Sequence, residues 1–168
     1  MSKNKFLKLL FSALLIMTLA FTATTSVYAA TGTKKVTSSG TMSLALRKGQ
    51  TGNSSEVTFR VSGLPTNAVI TKLEVNPGSL KSYSGAVLSN YLTVSSSNRS
   101  AAEKVSWNGR ENLDLKTSGF LASKANGTYT VSFNATCISG AISHGMILDI
   151  GSKTYSRPYI TIYWDDSF

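Results

Sequence analysis

Beyond residue 40, apolar side chains recur at every second position in run after run. Met42, Leu44 and Leu46 do so, then Val57, Phe59 and Val61, then Val69, Thr71, Leu73 and Val75. An extended chain points successive side chains to opposite faces, so this period of two predicts strands with one buried face each. The separators have turn chemistry. Residues 49–55 are rich in Gly, Asn and Ser, and residues 62–67 carry Pro65, whose φ is fixed, beside Asn67, which tolerates positive φ. Further strands are predicted over residues 91–95, 104–107, 113–115 and 146–150. The clearest covers 128–135, where Tyr129, Val131, Phe133 and Ala135 alternate with an outer face of Ser, Thr and Asn. The last, 158–164, sets Ile160, Ile162 and Trp164 on one side and Tyr159, Thr161 and Tyr163 on the other. No part of this region sustains a helical period, and residues 118–125 have room only for a turn or two. The expectation is all-β: about eight to ten short strands in a single antiparallel β-sandwich of jelly-roll type.

Residues 1–29 have a different character. Lys3, Lys5 and Lys8 precede an almost wholly apolar run over 9–21, and no charge follows until Lys34. That order is the signature of a cleaved secretory signal peptide, and the run of about 13 residues falls short of the roughly 20 that a spanning helix needs. Small residues end the segment at Val27-Tyr28-Ala29-Ala30, so cleavage is expected after Ala29. The released domain, 30–168, is then secreted, extracellular or associated with the cell wall, and has no membrane segment after cleavage. Cys137 is the only cysteine, so no internal disulfide can form and stability must come from packing. It lies far from the cleavage site, which argues against a lipoprotein, and it reads as a small buried residue. Leu64-Pro65-Thr66-Asn67-Ala68 begins like a wall-sorting LPxTG motif, but it lacks the glycine and lies mid-chain; it reads as a turn.

Charge narrows the partners. Once Lys3, Lys5 and Lys8 leave with the signal, fourteen Lys and Arg face eight Asp and Glu, a net charge of +6. Such a surface favours anionic partners, including envelope polymers and acidic polysaccharide. The basic residues are scattered, with no run beyond Lys34-Lys35 and Arg47-Lys48, so a nucleic-acid footprint is not indicated. His144 is the only histidine, which argues against a His-rich metal site and, without a nucleophile-elbow motif, against a Ser-His-Asp triad. It shares a bend with Cys137, but a solvated loop histidine is the simpler reading. Asp165-Asp166 is the only adjacent acidic pair, and the remaining acids fall at strand edges and turns. The sequence therefore points to no catalytic residues, no metal and no cofactor. The sequons at Asn53, Asn98, Asn126 and Asn134 are what a Ser/Thr-rich chain produces by chance.

The order of strand 69–75, then Tyr91-Leu92-Thr93-Val94-Ser95-Ser96-Ser97, then Gly127-Thr128-Tyr129-Thr130-Val131-Ser132-Phe133, a Gly-rich bend at 139–145 and strand 160–164 resembles the jelly-roll P domains that accompany some secreted proteases. The likeness spans roughly residues 68–164. Asn90-Tyr91 stands where that family has an Asp-Leu pair, and no protease is attached, so the resemblance implies the fold alone. Small secreted sandwich proteins of Gram-positive bacteria look similar as well.

Aromatic residues carry the binding expectation. With Ile160, Ile162 and Trp164 turned inward, Tyr155, Tyr159 and Tyr163 share the opposite parity and are expected on one exposed sheet face as a ligand platform. Tyrosine is also simply a good strand residue, and an end strand can be covered by a loop. Trp107, in phase with Val105, belongs to the core. Two non-catalytic readings follow: a secreted binding domain for glycan or an anionic cell-envelope polymer, and a secreted protein-interacting factor such as an inhibitor, toxin-like effector or matrix component.

Overall fold

The computed structural model describes residues 30–167. The signal peptide expected over 1–29 lies outside the described residues. The described chain is all-β, with strands β1 (Thr31–Thr37), β2 (Thr41–Arg47), β3 (Thr51–Asn53), β4 (Val57–Val61), β5 (Val69–Asn76), β6 (Ser79–Ser84), β7 (Ala86–Ser96), β8 (Arg99–Ser106), β9 (Leu115–Thr117), β10 (Gly127–Ser139), β11 (Ile142–Ser143), β12 (Met146–Ile147), β13 (Ile150–Ser156) and β14 (Tyr159–Asp165). All pairings among these strands are antiparallel. One sheet runs β1-β14-β5-β9, a second β3-β10-β7-β8 with β4 also on β10, a third β2-β13-β6, and β11-β12 is a separate hairpin.

The architecture is sandwich-like, and β10 is its hub. One edge of β10 pairs with β7, the other with β4 and then β3. Its alternation explains the position: Tyr129, Val131, Phe133, Ala135 and Cys137 are fully buried. They join Met42, Phe59, Leu73, Leu92, Ile160 and Ile162 in one apolar core. Each large side chain so buried stabilises by about 1.5–3 kcal/mol, and packing of this kind replaces cross-links in a chain whose one cysteine is unpaired. Trp107, Phe133 and Tyr155 pack ring against ring, with centroids 4.9, 5.4 and 6.0 Å apart.

Strands outnumber the expectation because several lack an alternating pattern. β1 has Val36 as its one large apolar residue, yet pairs with β14 along its whole length. Here the backbone ladder holds the strand, and such pairing leaves little trace in hydropathy. β3 and β6 carry no alternating apolar row either. In β5 the expected face of Val69, Thr71, Leu73 and Val75 is broken: Ile70 is buried and Thr71 exposed. A bulge where Tyr163 pairs with Lys72 but Trp164 with Ile70 leaves Thr71 over, and one extra residue reverses the parity upstream of it. The serine-rich stretch 95–100 is mostly strand, with only Ser97 and Asn98 between β7 and β8.

Candidate binding site

The outer face of the β1-β14-β5-β9 sheet is where two of the three expected tyrosines meet. Tyr159 lies opposite Thr37 and Asn76, Thr161 opposite Lys35 and Glu74, and Tyr163 opposite Thr33 and Lys72. Residues directly opposite share a face, so tyrosine, threonine and lysine form a continuous strip, extended by Lys116 of β9 opposite Glu74. Both rings are half-buried because lysines lie on them. The Lys35 ammonium sits 3.4 Å from the Tyr159 centroid, and that of Lys72 4.4 Å from Tyr163.

Hydrogen bonds fix both rings. The Asn76 amide donates to the Tyr159 hydroxyl (2.8 Å) and to Asp114 (2.9 Å), and Tyr163 donates to Glu74 (3.1 Å). Glu74 also pairs with Lys72 at 2.7 Å, a contact that raises the lysine's pKa by favouring its charged form. Desolvation, followed by the nearby Asp114 carboxylate, raises that of Tyr159. The strip thus presents ammonium groups held over phenol rings, with the central carboxylate already engaged.

Tyr155 does not belong to this face. It is fully buried, packed on Trp107 and Phe133, and donates its hydroxyl to the Gly109 carbonyl at 2.5 Å. Burial pushes its phenol up to about 12. The parity of β14 does not extend across Arg157 and Pro158 to Tyr155. There the chain leaves β13 in one sheet and enters β14 in another, with Arg157 at φ 56°. Parity holds only within a strand.

The remaining chemical candidates are held apart. Cys137 is buried, its thiol directed at the Ser139 carbonyl, whereas His144 is exposed at the β11-β12 turn beside Ser143. The Ser167 side chain, followed by its backbone amide, hydrogen-bonds Asp165 and lowers its pKa, and Asp166 accepts the Ala30 amide. Among the described residues no three of His, Cys, Asp and Glu gather as a metal site would need. Asn98 and Asn126 act as internal clamps, Asn126 bonding Leu64 through both its amide oxygen and nitrogen.

No protein-family model matches the chain, and no curated protein matches it. Among solved structures, the crystal structure of FlhE is similar over 80% of this chain and 97% of that one, at 14% identity and a TM-score of 0.42. A likeness of that size adds nothing on function.

A second surface is apolar and open. Met146, Leu148 and Ile150 alternate and were expected to bury one side of a strand, yet all three are exposed, as are Ile138, Ile142 and Ile147. Only Met146 and Ile147 form β12, paired with Ser143 and Ile142 in a hairpin that no other sheet covers. The available signal was the Met146-Ile147-Leu148 run, whose apolar residues occupy both parities.

Proposed function

We propose that the chain is a secreted, non-catalytic binding domain whose recognition surface is the outer face of the β1-β14-β5-β9 sheet. Its ligand class is an anionic cell-envelope polymer or acidic glycan. The observation that carries this reading is the lysine held over each tyrosine. An ammonium at 3.4 Å from the Tyr159 ring occupies the place where a neutral sugar would stack, and offers an anion a cation already positioned. Lys116 lies on the same face, and the net charge of +6 after signal cleavage adds long-range attraction.

The test is co-sedimentation of the purified secreted protein with isolated cell walls and with insoluble neutral polysaccharides, each at low and high salt. Pelleting with walls at low salt, lost at high salt and lost in Lys35→Gln/Lys72→Gln/Lys116→Gln, is the expected result, because contacts between exposed charges are screened within about 10 Å at 0.1 M salt. Salt-resistant pelleting with a neutral polysaccharide, abolished by Tyr159→Ala/Tyr163→Ala, would replace charge by stacking. No pelleting with any polymer would overturn the reading.

A further inference from the structure

The apolar end of the molecule is shaped. The turn between β6 and β7 at Gly85, with Ala86 at the start of β7, borders two open cavities. One, of about 400 Å³, lies between that turn, the β10 end at Ser139 and Gly140, and the hairpin residues Ile142 and Ile147. The other, of about 260 Å³, continues from the same turn past Leu80, Tyr83, Val87 and Leu88 to Lys153. The two adjoin at Gly85 and Ala86 as a trough lined by aliphatic side chains and Tyr83 on a floor of small residues. Its dimensions are those of a small-molecule site rather than of a protein interface.

The floor is narrow by construction. Gly85 has φ 68°, and a Cβ there would stand 2.5 Å from the Ser139 carbonyl oxygen. A Cβ on Gly140 would fall on the Leu148 carbonyl. Two glycines therefore let the hairpin root and the β6-β7 turn approach closely enough to form one channel.

Lys153 supplies the polar group. It is half-buried on β13, its ammonium donating to the Val87 carbonyl (3.3 Å) and the Ser89 hydroxyl (3.2 Å), both neutral. It also lies 5.6 Å from the Tyr155 ring centroid, but among the described residues no carboxylate pairs with it, and an ammonium has a third proton to give. Desolvation lowers its pKa with no anion nearby to offset the effect. A partly desolvated cation at the end of an apolar channel is satisfied by a ligand anion joined to an apolar chain.

We propose that this trough binds an aliphatic monocarboxylate of the fatty-acid class, its carboxylate on Lys153 and its chain running over Gly85 and Ala86 to Ile142 and Ile147. An alkyl chain fits this lining better than a peptide, because it brings no amide groups that need partners. The backbone at the hairpin root already has its own partners, Ala141 N–H to Ile150 C=O (2.9 Å) and Leu148 N–H to Ala141 C=O (2.7 Å), and Glu111 takes the Leu80 N–H on the β6 edge (2.8 Å).

The test is calorimetric titration of the purified secreted protein with decanoate, decanol and decyltrimethylammonium, each below its aggregation threshold. A tetrapeptide of aliphatic residues with a free C-terminus and anionic vesicles serve as separate arms. Decanoate should bind one to one, decanol at least about tenfold more weakly, and the cation not at all, since a hydrogen bond to a charged group contributes about 1.5–3 kcal/mol. Lys153→Met keeps the stem and removes the charge; it should cost decanoate about tenfold and leave decanol unchanged. Ile142→Ser/Ile147→Ser, at exposed positions, should weaken both ligands. Equal affinity for decanoate and decanol, an unaffected Lys153→Met variant or no binding would overturn the proposal. So would tighter binding of the peptide, binding only to vesicles, or a concentration-dependent dimer in ultracentrifugation that excludes decanoate.

Discussion

Two groups of apolar side chains in this molecule, one aromatic and one aliphatic, have opposite fates. One, around Phe133, Trp107 and Tyr155, is sealed between sheets, each of the three no more than 3% exposed. The other, around the β11-β12 hairpin, lies open, with Ile142 at 77% and Ile147 at 72%. What separates them is whether other strands pack against the face a residue occupies. Phe133 points into the core, whereas Ile138 on the same strand points out and is 50% exposed; Ile147 sits in a two-residue strand with one partner. An isolated hairpin is marginal in water and has no second layer to cover it. Stability therefore resides in the first group, and the second is free to serve recognition.

The sharpest way to break that contrast is to truncate both sides of it. Phe133→Ala removes a ring packed on Trp107 and Tyr155 and should cost about 3–5 kcal/mol in urea denaturation. A cost below about 1 kcal/mol would mean that the cluster is not the stability centre, since surface changes are of that size.

Gly85→Ala probes the boundary between the groups. Its φ of 68° and the short approach to the Ser139 carbonyl leave no room for a side chain, so a loss of about 1–3 kcal/mol is expected. Decanoate binding should fall with it, because the trough floor must shift. Unchanged thermal denaturation would show that the β6-β7 turn does not hold the hairpin root.

Tyr155→Phe is milder, removing one hydroxyl from the Gly109 carbonyl at a cost of about 1 kcal/mol. It also has a pH signature. Burial raises the folded-state phenol from 10 to about 12, so the folded chain resists ionisation more than the unfolded one. The stability this contributes is intact below pH 10 and lost as pH rises through 10 towards 12. The variant should lose less stability across that interval than the parent. Parallel pH profiles for the two proteins would assign the alkaline loss to other groups.

Much of this was legible in the residues, and the failures share a cause. The strand β10 and the burial of Trp107 and Cys137 followed from alternation, which reports a strand's two faces directly. What alternation cannot report is whether a second sheet lies behind the face. Met146, Leu148 and Ile150 have the pattern of an inward row and are exposed, because Met146 lies on the free β11-β12 hairpin and the other two on the segment that leads from it into β13. Nor does it reveal breaks in phase. The crossing at Arg157 and Pro158 separated Tyr155 from Tyr159 and Tyr163, and the bulge opposite Thr71 turned Ile70 inward. The lysines over the two face tyrosines come from β1 and β5, neighbours that only the sheet order makes adjacent.

The smallest effect belongs to the open group and decides the comparison from its other side. Ile142 and Ile147 are a cross-strand pair whose side chains meet mostly solvent. Changing both to serine removes apolar surface that folding leaves mostly exposed, so stability should move by no more than about 0.5 kcal/mol per site, in either direction. Solubility should rise at the same time, since an exposed aliphatic patch promotes association. If instead the pair proves as costly as Phe133→Ala, the hairpin is folded against something in solution that buries it, and sedimentation at rising concentration would show whether a second copy of the chain provides that cover.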